Sequence, residues 1–114
     1  MKTIIAGSRD IYDVELIDKE SVALPWKITE VISGGDKGVD KSGETFAILY
    51  KIPTKIFPAD RCKYGKSAEY IRNADMAIYA DALLAIWDGK SKRTKHIIDC
   101  AIQGGLIIKV KIIK

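Results

Sequence analysis

Five short runs of Ile, Val, Leu and Ala, each spaced from the next by a stretch of helical periodicity, leave this chain very few ways to fold. The runs cover residues 2–6, 28–33, 54–57, 82–87 and 106–110. Their apolar side chains are nearly continuous rather than alternating, as expected of strands covered on both faces. Between them, Val14, Ile17, Ser21 and Leu24 mark a first helix that Pro25 stops. Val39, Gly43, Phe46, Ala47 and Tyr50 mark a second, in which Gly43 permits close packing on the sheet. Ala68, Ile71, Asp75 and Ile78 mark a third, and Ile97, Cys100 and Ala101 a fourth, which Gly104-Gly105 would cap.

Strand and helix in regular alternation predict a parallel sheet with crossover helices on both faces. Right-handed crossovers then favour one topology, a Rossmann-like three-layer α/β/α domain. Its five-stranded, mainly parallel sheet would run in the order 3-2-1-4-5. No repeat, linker or low-complexity stretch interrupts the pattern, so residues 1–114 read as a single domain.

No window approaches the roughly 18–20 apolar residues of a membrane span, and the N-terminal run ending at Gly7 is too short for a signal peptide. A cytoplasmic location is therefore expected, with Cys62 and Cys100 as free thiols. One histidine and two scattered cysteines cannot supply a zinc site, and no cofactor is implied. Nineteen basic against fifteen acidic residues, net +4, lean towards anionic partners.

In such a sheet, ligands bind at the carboxyl ends of the strands, where the strand order reverses. Polar and glycine residues gather there: Gly7-Ser8-Arg9-Asp10 after the first run, Ser33-Gly34-Gly35-Asp36-Lys37-Gly38-Val39-Asp40 after the second, Pro58-Ala59-Asp60 after the third and Asp88-Gly89-Lys90-Ser91 after the fourth. The opposite loops at Pro25-Trp26-Lys27, Lys51-Ile52-Pro53 and Tyr79-Ala80-Asp81 lack glycine. Ser33, Gly34, Gly35, Gly38 and Asp40 form the strongest segment, since glycines between a strand and a helix expose backbone amides at the positive end of the helix dipole. Phosphate or ribose contact and a plain βα turn capped by Asp36 both fit it. It is neither a P-loop nor the dinucleotide GxGxxG pattern.

Arg9 can fork onto a phosphate or carboxylate with Ser8 beside it, or pair with Asp10 or Asp13. Arg72-Asn73 is either part of the site or a solvated helix face. Asp88 and Gly89 offer contacts to ribose hydroxyls, and Ser91 and Thr94 to phosphate, unless Ser91 is only a helix cap. His96 reads as structural or solvent-facing, and Lys109, Lys111 and Lys114 as guards of an edge strand. If a reaction is catalysed, Asp40, Glu44, Asp60 and Asp88 are the only acid–base candidates.

Gly7-Ser8-Arg9-Asp10, Ser33-Gly34-Gly35 with Gly38-Val39-Asp40, Phe57-Pro58-Ala59-Asp60, Arg72-Asn73 with Met76, and Trp87-Asp88-Gly89-Lys90-Ser91 with Thr94 together resemble the YspA-like family of small bacterial and phage proteins. That family lies within the SLOG superfamily of Rossmann-like domains, alongside the DNA-processing protein DprA and the cytokinin-activating phosphoribohydrolases. The resemblance spans nearly the whole chain and implies a site for a nucleotide or nucleotide-derived ligand. Relatives usually carry Trp at Arg61, Ala-Gly-Pro at Ala68-Glu69-Tyr70, and Gly at Arg93. These departures put a possible anion and added bulk beside the expected pocket. The phosphoribohydrolase GGxGT turn with its glutamate is absent, and three residues beyond Thr94 stands Ile97.

The resulting expectation is a binding module that senses or sequesters a nucleotide derivative. An enzyme acting at an N-glycosidic or phosphate bond is the alternative. A single-stranded DNA binder is disfavoured by the modest charge and the absence of an aromatic stacking row. A homodimer or larger homo-oligomer is expected, with Trp26 and residues 106–113 as candidate contacts.

Overall fold

The apolar runs pair side by side because each can cover both of its faces only in the middle of a layered structure. The computed structural model describes residues 1–113. Its elements are β1 (Lys2–Gly7), α1 (Val14–Val22), β2 (Glu30–Ser33), α2 (Val39–Leu49), β3 (Thr54–Ile56), α3 (Arg61–Tyr64), α4 (Ala68–Tyr79), β4 (Ala82–Trp87), α5 (Lys92–Gln103) and β5 (Ile107–Ile112). A 3-10 turn at Gly65–Ser67 joins α3 to α4.

The sheet order is β3-β2-β1-β4-β5, and every neighbouring pair is parallel. The expected order holds, and the sheet is wholly rather than mainly parallel. The period of two divides its side chains between two cores. Ile4, Ala6, Ile32, Leu83 and Ala85 meet Met76, Ile97 and Ala101 of α4 and α5. Ile5, Val31, Leu84 and Ile86 meet Ile17, Val39, Phe46 and Ala47 of α1 and α2. Each fully buried Ile or Leu contributes about 1.5–3 kcal/mol.

Several boundaries move, for local reasons. α1 ends at Val22, because the amides of Ala23 and Leu24 turn back to Glu20 and Ser21. β2 starts at Glu30, which is the partner of the first residue of β1. β5 runs on to Ile112 because β4 keeps pairing to Trp87. The short α3 lies in a stretch that reads as polar loop, and Asp60 starts it by accepting from the Lys63 amide. β5 is an edge strand carrying Lys109 and Lys111, as expected of edge guards; Lys114 lies outside the described residues. Gly104-Gly105 do end α5, so the glycine-poor end of the sheet has this one exception.

Two glycines are required by close approach. A Cβ on Gly43 would lie 2.8 Å from Ile5 Cγ2, so α2 sits down on β1 as expected. A Cβ on Gly7 would collide with the Ile86 carbonyl oxygen and lie 2.8 Å from Val39 Cγ2. Gly7→Ala should therefore cost about 1–3 kcal/mol, the usual penalty for overpacking. Urea denaturation reads this directly, and a wild-type midpoint would mean that the ends of β1 and β4 separate freely.

Candidate functional site

The chain leaves β1 outward through β2 and β3, then returns to place β4 on the other side of β1. The two crossovers thus diverge above the carboxyl ends of β1 and β4, and a crevice opens there. It is lined by Gly7 at the end of β1 and Arg9 just beyond it, Asp36 and Asp40 after β2, Arg72 and Asn73 on α4, and Ser91, Arg93 and Thr94 after β4. Four separate segments reach one place.

Arg72 organises the floor. At 6% exposure it is buried, not on a solvated helix face. Nη1 donates to the Gly34 carbonyl and, at 3.3 Å, to the Phe57 carbonyl. Nη2 donates to Asp36 Oδ2 at 3.0 Å, and Nε to Asn73 Oδ1 at 3.0 Å. Four of the five guanidinium N–H donors are thereby used, which ties α4 to the ends of β2 and β3. Asn73 passes the network on to His96 Nδ1 at 3.1 Å. His96 also packs edge-on against Tyr70, which fits its structural reading.

Asp40, 6% exposed, lies beside this hub. Burial pushes its carboxyl up from 3.8 to about 7, and the neighbouring Asp36 charge adds to the rise. The Asp36 amide, donating to Oδ2 at 3.3 Å, and the Arg72 charge pull the other way. Gly34 is needed between the two groups, since a Cβ there would strike the Arg72 guanidinium and lie 2.8 Å from Asp40 Oδ2.

A second charge cluster stands at the mouth, reaching the crevice through Arg9 and Arg93. Glu69, in the first turn of α4, meets Arg93 Nε at 2.9 Å, Arg9 Nη2 at 3.9 Å and the Arg61 guanidinium. Arg9 pairs with Glu69 and not with Asp10 or Asp13, because the loop after β1 faces the start of α4. Of the three positions expected to alter the pocket, Arg61 and Arg93 both contact the third, Glu69. The crevice is narrow, with a volume of about 30 Å³, room for one water.

Several other expected site residues have their polar atoms engaged within the protein. Ser8 is buried; its Oγ accepts from the Asp88 amide at 3.1 Å and its carbonyl accepts from the Ile11 and Val39 amides, so it braces three segments. Ser33 Oγ donates to Glu44 Oε2 at 2.7 Å and accepts from the Gly35 amide, which occupies Glu44 as well. Asp88 closes its own turn, with Oδ1 accepting from the Lys90 and Ser91 amides at 2.8 Å. Those bonds hold its carboxyl below the usual range. Gly89 lies exposed in that turn, and Asp60 is spent as the cap of α3. Neither Asp88 nor Asp60 lines the crevice. Ser91 caps α5, as one reading had it, and still lines the crevice with Thr94.

Gly35 and Gly38 both hold φ near +77°, and the cap of α2 is Gly38, not Asp36. Asp36 turns instead to Arg72, because a buried guanidinium outcompetes a helix-cap amide for a carboxylate. Ala6, Asp36, Met76, Arg93 and Ile97 also line the crevice, beyond the expected ligand-binding residues. Asp36 lies inside the glycine segment, Met76 accompanies the Arg72-Asn73 motif, and Arg93 was expected to add bulk beside the pocket; Ile97 carried no such signal.

Neither a family model, nor a curated protein, nor a solved structure matches this chain.

Proposed function

We propose that the crevice above β1 and β4 binds a small anionic ligand of the nucleotide or nucleotide-derived class, as a sensing or sequestering module. The observation that carries this reading is the convergence of Arg9, Arg61 and Arg93, from three separate segments, on one spot at the switch point of the sheet. Arginines gathered without matching acids gain little for stability, since exposed ion pairs contribute about 0–1 kcal/mol. Their forks suit phosphate oxygens. The order of motifs along the chain supports placing it with the YspA-like proteins, whose relatives handle nucleotide derivatives.

Thermal melts with mono-, di- and cyclic nucleotides and ADP-ribose derivatives test the reading. A true ligand at 100 times its Kd should stabilise the fold by about 2.7 kcal/mol. Arg9→Ala should keep the unliganded melting temperature, because its ion pair is long and its side chain is 45% exposed, yet abolish the ligand shift. An undiminished shift would remove Arg9 from the site.

One observation favours a second reading, that of an enzyme cleaving an N-glycosidic or phosphate bond. Asp40 lines the crevice and keeps a proton up to about pH 7, which suits a general acid acting near neutrality. Base or phosphate release from nucleotides, followed by chromatography, decides between binding and turnover.

A further inference from the structure

The charges at the mouth of the crevice do not balance, and the imbalance has a direction. Glu69 supplies one negative charge and is mostly covered, at 14% side-chain exposure. Arg9, Arg61 and Arg93 bring three positive charges, so two remain uncompensated. A guanidinium stays protonated and offers five N–H donors. Here Arg61 makes the one hydrogen bond with full geometry, Arg93 reaches Glu69 through Nε alone, and Arg9 stays beyond hydrogen-bond distance. The remaining donors of these three side chains have no acceptor among the described residues. They are 45%, 58% and 44% exposed for Arg9, Arg61 and Arg93, so a solute reaches them.

We infer that Glu69 is a tethered stand-in for a ligand's anionic group. The arginine cluster then selects a doubly charged group, a terminal phosphate or a diphosphate, over a singly charged phosphodiester. This inference rests on the proposed nucleotide site and narrows its ligand. Glu69 holds the spot where the three guanidinium groups converge, so a solute anion takes that spot only when the glutamate side chain rotates away. A monoanion that replaces it returns the same single charge and gains nothing. A dianion in its place leaves one surplus charge where the glutamate leaves two, and a terminal phosphate presents three acceptor oxygens to three donors that approach from different segments. The start of α4, whose cap residue Ser67 makes no side-chain bond, keeps its favourable field for whichever anion is there.

Isothermal titration with three probes tests this at pH 8: inorganic pyrophosphate, methyl phosphate and dimethyl phosphate. Wild-type protein should bind the first two, and dimethyl phosphate at least about tenfold more weakly, a gap of about 1.4 kcal/mol. Glu69→Gln removes the competitor and should tighten pyrophosphate binding by about tenfold. Glu69→Asp, with a shorter reach to the arginines, should fall between the two. Pyrophosphate binding that is unchanged or weaker in folded Glu69→Gln would overturn the inference, as would dimethyl phosphate binding as tightly as methyl phosphate. Should Glu69→Gln fail to fold, the three-probe series on the wild type decides alone.

The two readings fail separately. Nucleotide stabilisation that depends on Arg9 but ignores the charge of the probe would sink the stand-in role and leave the pocket. Pyrophosphate binding that obeys the charge rule, without stabilisation by any nucleotide, would leave the anion site and sink the nucleotide reading. A folded wild type that binds no probe and no nucleotide sinks both.

Discussion

Replacing Arg72 with methionine should lower the unfolding free energy by about 3–5 kcal/mol, the range seen when one partner of a buried ion pair is removed. Methionine fills much of the same length, so the loss reports the bonds more than a cavity. The carbonyls of Gly34 and Phe57, the Asn73 amide oxygen and the Asp36 carboxylate would lose their donor together. Two of these acceptors, on Gly34 and Asp36, belong to the loop from Ser33 to Gly38, so that loop should loosen as well. Arg72→Lys should recover only a small part, because one compact ammonium cannot reach four acceptors held in the plane of a fork. Urea denaturation of the three proteins measures this. A loss below about 1 kcal/mol, the worth of one ordinary hydrogen bond, would show that water replaces the guanidinium at little cost.

Asp40→Asn should make the protein more stable at pH 8, by about 2–4 kcal/mol, while leaving it near wild type below pH 4. In the folded protein the Asp40 carboxyl holds its proton up to about pH 7, whereas in the unfolded chain it ionises near 3.8. Between those values the folded state binds the extra proton, so raising the pH through this window favours unfolding, and above it the cost levels off. Asparagine keeps an oxygen for the Asp36 amide and never ionises, so the variant should lose this pH dependence. Comparing denaturation midpoints of both proteins from pH 4 to pH 8 cancels the contributions of other groups. Parallel curves would mean that Asp40 titrates near its ordinary value. The same variant lacks the proton donor that the enzymatic reading requires. Any base release should then vanish while ligand stabilisation survives.

The layering of this fold was open to reading because it follows from local periodicity. Ile4, Ile5, Leu83 and Leu84 could only belong to strands covered on both sides, and the crossover rule then left few orders for five of them. The general position of the crevice followed too, from the glycine segments after β1 and β2. The roles of individual residues were less legible. Ser8, Ser33 and Asp88 have the chemistry of ligand-binding groups, yet Ser8 and Ser33 are used by groups that arrive from elsewhere in the chain and Asp88 by the amides of its own turn. Arg72 looked like an even choice between site and solvent, because nothing in its neighbours announces that β2 and β3 end on top of it. Four residues of α3 went unseen, since a helix of one turn has no period to detect.

Local sequence thus determined the elements, the parallel order and the rim where backbone lies open, all of which depend on side-chain pattern over a few residues. Only the tertiary structure decided which charges meet. Arg9, the Arg61–Glu69 pair and Arg93 come from three distant parts of the chain and share one site because three βα connections end over the same two strands. Burial, which no residue carries by itself, is what lifts Asp40 towards neutrality and sets Arg72 to holding the floor of the crevice.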